Sequence, residues 1–228
     1  MMRTLRQLRT LVAKDLRLEA RTRQTVGLVV VMAILIVTVL GLGLGPQQLA
    51  SGFAAPAVLW VAYLFAGVLC FEKTMACERH DGALAALLLA PVDRGVIYFA
   101  KLISNLILIA AIAIVVTPVA LVLFGFDLSA APGAFVVTVG VSMIGFAAIG
   151  TLFSAAVNST GVRGGPLAMV IFPISLPLVL ASTHMLIKCF RDGEPITQTA
   201  LAILIAFALI YLVVSWLVFE MILAPGSE

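Results

Sequence analysis

Few side chains in this 228-residue sequence are suited to ligand binding or proton transfer within an apolar environment. Two are histidines, His80 and His184, and imidazole is a common ligand of heme iron. A lone histidine is more often a polar group at an interface, and the sequence shows no convincing pair of heme ligands. Glu220 is the one acid inside a long apolar stretch, but its position near the end of that stretch also suits an interfacial carboxylate. We therefore assign no catalytic or cofactor-binding residue.

Known motifs of catalysis and metal binding are missing from the sequence. Cys70, Cys77 and Cys189 show no C-x-x-C spacing, and an odd number of cysteines cannot all pair within one chain. No nucleotide-binding loop, zinc-binding helix or nucleophile elbow occurs. We expect no enzyme, no metal site and no tightly bound cofactor. Uphill transport would need either an ion gradient acting through embedded charges or a separate ATPase, and one poorly placed acid argues against the gradient.

The composition predicts an all-α, polytopic membrane protein with a single domain over residues 1–228. Apolar residues make up 63% of the chain and charged residues only 11%, against about one quarter charged in soluble domains. Long runs without charges are near or above the roughly 18 residues that span the hydrocarbon as helix. Six such runs cover residues 26–44, 49–71, 102–126, 129–157, 166–187 and 199–223. The first is expected to remain as an uncleaved span.

The distribution of basic residues predicts the orientation. Six spans place both termini on one side, together with the segments 72–101 and 158–165. That side holds twelve of the 14 Lys and Arg residues, and the other side holds only Lys188 and Arg191. Because basic residues collect in short cytoplasmic loops, we expect a bacterial inner-membrane protein with both termini in the cytoplasm. The small net charge of +3 gives no indication of nucleic-acid binding.

The first 25 residues form an amphipathic pattern. Leu5, Leu8, Val12 and Leu16 recur at helical spacing, and the basic residues mostly lie away from that stripe. Two interpretations remain open: a helix lying in the membrane interface, or a plain basic anchor on the cytoplasmic side.

The segment 72–101 contains the second amphipathic element. Leu84, Leu87 and Leu88 follow i, i+3, i+4 spacing, which predicts a short helix that begins near Asp81-Gly82 and ends by Pro91. The segment has four acidic and four basic residues, whereas a helix on the membrane surface would carry a basic excess. A protein partner on the cytoplasmic side is the better explanation of this balance. Farther along, Pro173 and Pro177 predict a bent or broken fifth helix.

Three segments resemble a known family. They are Glu72-Lys-Thr with Glu78-Arg-His-Asp-Gly-Ala-Leu-Ala-Ala-Leu-Leu-Leu-Ala-Pro91 and Ala100-Lys101, then Arg163-Gly-Gly-Pro-Leu-Ala-Met-Val-Ile-Phe-Pro-Ile-Ser-Leu-Pro177, and the opening Lys14-Asp-Leu-Arg-Leu-Glu19. The first is similar to the coupling loop of type-2 ATP-binding-cassette exporter permeases, and the set resembles, more narrowly, the heme exporter protein B family.

The resemblance implies a permease subunit for heme handling in c-type cytochrome biogenesis. It implies a cytoplasmic ATPase subunit that binds ATP, a second copy of the chain, other cytochrome c maturation proteins and a periplasmic heme chaperone, with heme as possible substrate. The residues that it places against the ATPase subunit are Glu78, Asp81, Gly82, Leu84, Leu87, Leu88 and Pro91. Two alternatives stay open: an exporter permease for another lipid-like substrate, and a membrane scaffold that transports nothing.

Overall fold

The chain forms a bundle of long helices, shown in a computed structural model that describes residues 2–22, 24–45, 54–80, 93–125, 128, 131–160, 166–193 and 195–222. The helices are α1 (Met2–Thr22), α2 (Gln24–Gly43), α3 (Ala54–His80), α4 (Arg94–Phe124), α5 (Pro132–Thr160), α6 (Pro166–Arg191) and α7 (Gln198–Ile222). All except α1 are long and apolar enough to cross a membrane. The prediction of an all-α, multi-pass membrane protein with six spans and a separate N-terminal helix is confirmed.

The helices on either side of the predicted loop are longer than expected. Residues 72–80 continue α3, and residues 94–101 already belong to α4. With 31 residues, α4 is about 46 Å long, well beyond the roughly 30 Å of the hydrocarbon core. The surplus turns are at its N-terminal end, where the polar and charged residues lie. The segment between the second and third spans is therefore shorter than the predicted 72–101.

The centre of the bundle is the contact between α3 and α5. Phe146 of α5 lies against Gly67 of α3, and Phe71 of α3 lies against Gly150 of α5. A Cβ atom at either glycine would overlap the facing ring, so only glycine permits this approach. The two rings also pack on each other, with centroids 5.3 Å apart. We call these four residues the glycine–phenylalanine interlock.

Helix α5 also packs against α4, α6 and α7, which makes it the central helix. At Gly145 a Cβ atom would lie 3.1 Å from the Cα of Ala208, so α5 and α7 approach closely as well. By contrast, α7 and α2 bury little of their surface inside the bundle. Their exposed leucines, isoleucines and valines are typical of helices that face lipid.

The two prolines of the fifth span do not break it. Helix α6 is continuous through Pro173 and Pro177, so of the two alternatives the broken helix is wrong and the bent helix stays a prediction. A nearby carbonyl, that of Ile174, accepts a hydrogen bond from the Tyr211 hydroxyl of α7 at 2.8 Å. This bond joins α6 to α7, whereas the carbonyls that lose their usual helical partner lie four residues before each proline, at Met169 and Pro173.

Candidate docking site and its polar anchor

Most of the residues predicted to contact an ATPase lie outside the part of the chain that the structure describes. These are Asp81, Gly82, Leu84, Leu87, Leu88 and Pro91. Glu78 lies in the last turn of α3, and its side chain is also outside the described part. The structure does describe both ends of the segment, because α3 ends at His80 and α4 begins at Arg94. We call residues 81–92 the docking loop.

Helix α4, which follows the docking loop, begins with a helix cap. Asp93 precedes α4, and its Oδ1 accepts a hydrogen bond from the backbone nitrogen of Gly95 at 3.0 Å. This is the usual role of an aspartate at a helix N-terminus. A Cβ atom at Gly95 would lie 3.1 Å from Trp216 Nε1 and 3.5 Å from Glu220 Oε1. The start of α4 is thus packed against α7, and Glu220 lies at this junction.

An ion pair joins α1 to α4 two turns after this cap. Lys101 Nζ lies 2.7 Å from Asp15 Oδ2, and the two side chains are only 7% and 13% exposed. Ser104 Oγ lies 3.5 Å from the same carboxylate oxygen. A second cation, Lys14, lies 3.6 Å from Oδ1 but is 39% exposed. Because the pair is nearly excluded from water, removing one partner would leave a poorly solvated charge.

One turn farther along α4, Asn105 joins three helices. Its Nδ2 donates to Thr151 Oγ1 of α5 at 3.0 Å, and Thr74 Oγ1 of α3 lies 3.2 Å from its Oδ1. Asn105 is 1% exposed, and burying a carboxamide is costly unless it is hydrogen bonded. We call these residues and the neighbouring ion pair the polar collar, which consists of Asp15, Thr74, Lys101, Ser104, Asn105 and Thr151.

The collar is suited to holding helices together rather than to chemistry. Its charges are paired with each other, and its amide and hydroxyls have partners in the adjoining helices. Among the described residues, no three His, Cys, Asp or Glu side chains are grouped closely enough to hold a metal ion. Cys70 and Cys189 are buried free thiols, and the Cys77 side chain is not described. The collar connects both ends of the docking loop, through α3 and α4, to the central helix α5.

The opposite end of the bundle is joined more simply. Trp60 of α3 donates from Nε1 to Ser182 Oγ of α6 at 3.0 Å. Tyr63 of α3 and Thr117 of α4 share a hydrogen bond of 2.6 Å. His184, considered as a candidate ligand, has an exposed side chain on α6, whereas Ser182 two residues earlier is buried.

The collar was not predicted from the sequence. The sequence pattern places Lys101 among the charges of the segment 72–101 and Asn105 within the apolar run 102–126. A signal was nevertheless present, because a lysine and an asparagine four residues apart lie on one face of a helix at the edge of an apolar stretch. This spacing does not show which other helices the two side chains contact. Asp15 belongs to the opening segment of the family resemblance, and Thr74 and Lys101 belong to the two ends of its first segment, so the structure brings these parts together.

Comparison with known proteins assigns the chain to a family. Heme exporter protein B of Paracoccus denitrificans is 26% identical over 205 residues, which cover 89% of this chain and 91% of that protein. Heme exporter protein B of Bradyrhizobium diazoefficiens is 26% identical over 214 residues, covering 91% and 92%. The relative of the same name in Rhodobacter capsulatus is 26% identical over 181 residues, covering 78% and 81%. A family model described as CcmB protein matches residues 6–223, and the chain therefore belongs to the CcmB protein family.

Proposed function

We propose that this protein is the membrane permease subunit of an ATP-binding-cassette transporter complex that acts in heme export for c-type cytochrome biogenesis. The observation that carries the proposal is the match to relatives named heme exporter protein B along about nine tenths of the chain. Six apolar helices long enough to cross a membrane agree with a permease. Heme is then the substrate, and ATP binds to the partner subunit.

The docking loop is our candidate contact with the ATPase. Helix α4, which follows the loop, is connected to α1 through Lys101 and to α5 through Asn105. A load applied to the loop would therefore reach the centre of the bundle through the start of α4. The apolar face of Leu84, Leu87 and Leu88 supplies the surface that the ATPase would cover. ATP hydrolysis in that partner would then drive release of heme to a periplasmic chaperone.

Mechanical coupling is favoured over heme coordination by this chain. Tight heme sites supply a strong axial ligand in a shaped apolar pocket. His184 is exposed, and the polar collar has no imidazole or thiolate. The proposed partners are an ATPase subunit, a second copy of the chain, other cytochrome c maturation membrane proteins and a periplasmic heme chaperone.

Deletion of the gene, followed by heme staining of c-type cytochromes, tests the proposal. We expect the holocytochromes to disappear and to return with the wild-type chain. Affinity purification from membranes should recover an ATPase subunit and cytochrome maturation proteins. Recovery of another exporter ATPase with normal cytochromes would favour a different lipid-like substrate. Normal cytochromes without any ATPase would favour a scaffold, and either result would refute the proposal.

The proposed orientation has its own test. We expect both termini to lie in the cytoplasm of a bacterial cell and the protein to lie in the inner membrane. Single cysteines introduced at Gly45 and Asp192 should then react with a membrane-impermeant thiol reagent from the periplasm, and cysteines at Asp81 and Gly164 should not. Labelling of Asp81→Cys from the periplasm would contradict the proposed orientation.

A further inference from the structure

The two hydrogen bonds of Asn105 differ in how easily they can be broken. Thr151 Oγ1 accepts from Asn105 and donates its own proton to Ala147 O at 2.7 Å, so both groups are satisfied at once. Thr74 has a single hydroxyl proton, and Cys70 O at 2.9 Å competes for it with Asn105 Oδ1 at 3.2 Å. Thr74 can therefore leave Asn105 and keep a partner in its own helix. The bond from Asn105 Nδ2 to Thr151 Oγ1 has no such competition, because Thr151 accepts from Asn105 while its own proton goes to Ala147 O.

The position of this asymmetry is informative. One turn before Thr74, Phe71 fixes α3 to α5 at Gly150, within the glycine–phenylalanine interlock. Beyond Thr74, α3 continues for six residues to His80, where the docking loop begins. Along α3, the firm contact of Phe71 with α5 is thus followed by the releasable contact of Thr74 with Asn105, and then by the docking loop. On the other side of the loop, α4 has its firm contact with α5 through Asn105.

We propose that Asn105 is a positioning residue that keeps α4 fixed to α5 and gives the end of α3 a releasable contact. When the docking loop is pulled, the last turns of α3 move relative to α4 and α5, with Phe71 as the fixed point. The inference rests on the proposed function, since the pull comes from the ATPase subunit docked on the loop. Beyond the proposed function, it states that the contact between Thr74 and Asn105 opens and that the contact between Asn105 and Thr151 stays closed.

Two variants and a matched control separate positioning from general packing. Asn105→Leu removes both contacts, and Thr74→Val removes only the contact with α3 while keeping the shape of the side chain. Ser154→Ala is the control, because Ser154 is also buried near the collar but donates only to Thr151 O of its own helix. The exchange Asn105→Thr with Thr151→Asn restores a hydrogen bond between α4 and α5 with its partners reversed.

The first measurement is holocytochrome c produced per ATP hydrolysed in membranes containing the full complex. We expect both variants to retain the ATPase subunit and its hydrolysis, while this ratio falls by at least about fivefold for Asn105→Leu and by less for Thr74→Val. The exchange of Asn105 and Thr151 should restore most of this yield per ATP. Ser154→Ala should give the same yield per ATP as the wild type. A wild-type ratio in both variants would overturn the inference. If Asn105→Leu does not accumulate in the membrane, the ratio measured for Thr74→Val decides, and a wild-type ratio there would overturn the inference.

The second measurement needs no partner. Spin labels at Lys73→Cys of α3 and Val157→Cys of α5, in a chain with Cys77 replaced by serine, report the separation of the helix ends. We expect a narrow distance distribution in the parent chain and in Ser154→Ala, and a broader one in Thr74→Val and Asn105→Leu. Distributions that superimpose in all four chains would overturn the inference. If no ATPase subunit is recovered with the wild-type chain, the proposed function fails and this measurement alone decides the inference.

Discussion

The two ends of the helix bundle are held together in different ways. Near the docking loop, the polar collar joins α1, α3, α4 and α5 through an ion pair and a carboxamide with two partners. At the opposite end, Trp60–Ser182 and Tyr63–Thr117 are neutral hydrogen bonds that each join two helices. Buried charge is costly in a membrane protein, and here it is found between α1 and the first turns of α4. This difference agrees with the proposed docking role, in which the loop end bears load and the far end needs only to stay packed.

The largest stability effect is expected in the ion pair of the collar. Lys101→Met removes the cation that lies 2.7 Å from the Asp15 carboxylate, in a site nearly excluded from water, and should destabilise the protein by about 3–5 kcal/mol. Thermal unfolding in detergent, followed by size-exclusion chromatography, measures the loss. The double variant Asp15→Leu, Lys101→Met should recover most of it, because an apolar pair has no charge to desolvate. If the double variant is as unstable as Lys101→Met alone, the loss of stability does not come from an unpaired Asp15 charge.

A smaller effect is expected at the interlock between the two ends. Gly150→Ala places a methyl group where the Phe71 ring lies and should cost about 1–3 kcal/mol in the same unfolding assay. Gly140→Ala is the matched control, since nothing lies within 4 Å of a Cβ atom there. Equal stability of the two variants would contradict the close approach of α3 and α5.

The far end should tolerate a comparable polar change more easily. Ser182→Ala removes the acceptor of Trp60 and should cost about 0.5–2 kcal/mol, because a single neutral hydrogen bond is lost. Holocytochrome c production should remain close to that of the wild type. If Ser182→Ala uncouples ATP hydrolysis from cytochrome production as strongly as a collar variant does, the contrast between the two ends disappears.

The smallest effect is expected at His184. Its side chain is exposed on α6, so His184→Ala should change holocytochrome c production by less than about twofold. Heme staining after complementation measures this directly. A complete loss of maturation, with the complex assembled and still hydrolysing ATP, would instead indicate direct heme coordination by this chain.

The sequence predicted the helices better than it predicted their contacts. Uncharged runs locate all six spans because the hydrocarbon thickness sets a minimum length, but the third span begins at Arg94, before the predicted run 102–126. Pro173 and Pro177 predict a bent or broken helix, whereas α6 runs through both, because membrane helices tolerate proline where the freed backbone groups find other partners. Lys101 and Asn105 could be recognised as polar, but their partners lie 86 and 46 residues away in sequence. Such pairing depends on how the helices are arranged, which local patterns do not specify.

The docking role of residues 81–92 is tested most directly by adding charge to one face of the predicted short helix. Leu87→Glu with Leu88→Glu replaces two apolar side chains, each worth about 1.5–3 kcal/mol when buried. Ala86→Glu with Leu89→Glu adds the same charge on the other face. We predict that the ATPase subunit no longer co-purifies with the first double variant, that it still co-purifies with the second, and that only the first abolishes holocytochrome c. Recovery of the ATPase at wild-type yield with the first variant, at normal membrane levels of the protein, would contradict the docking assignment.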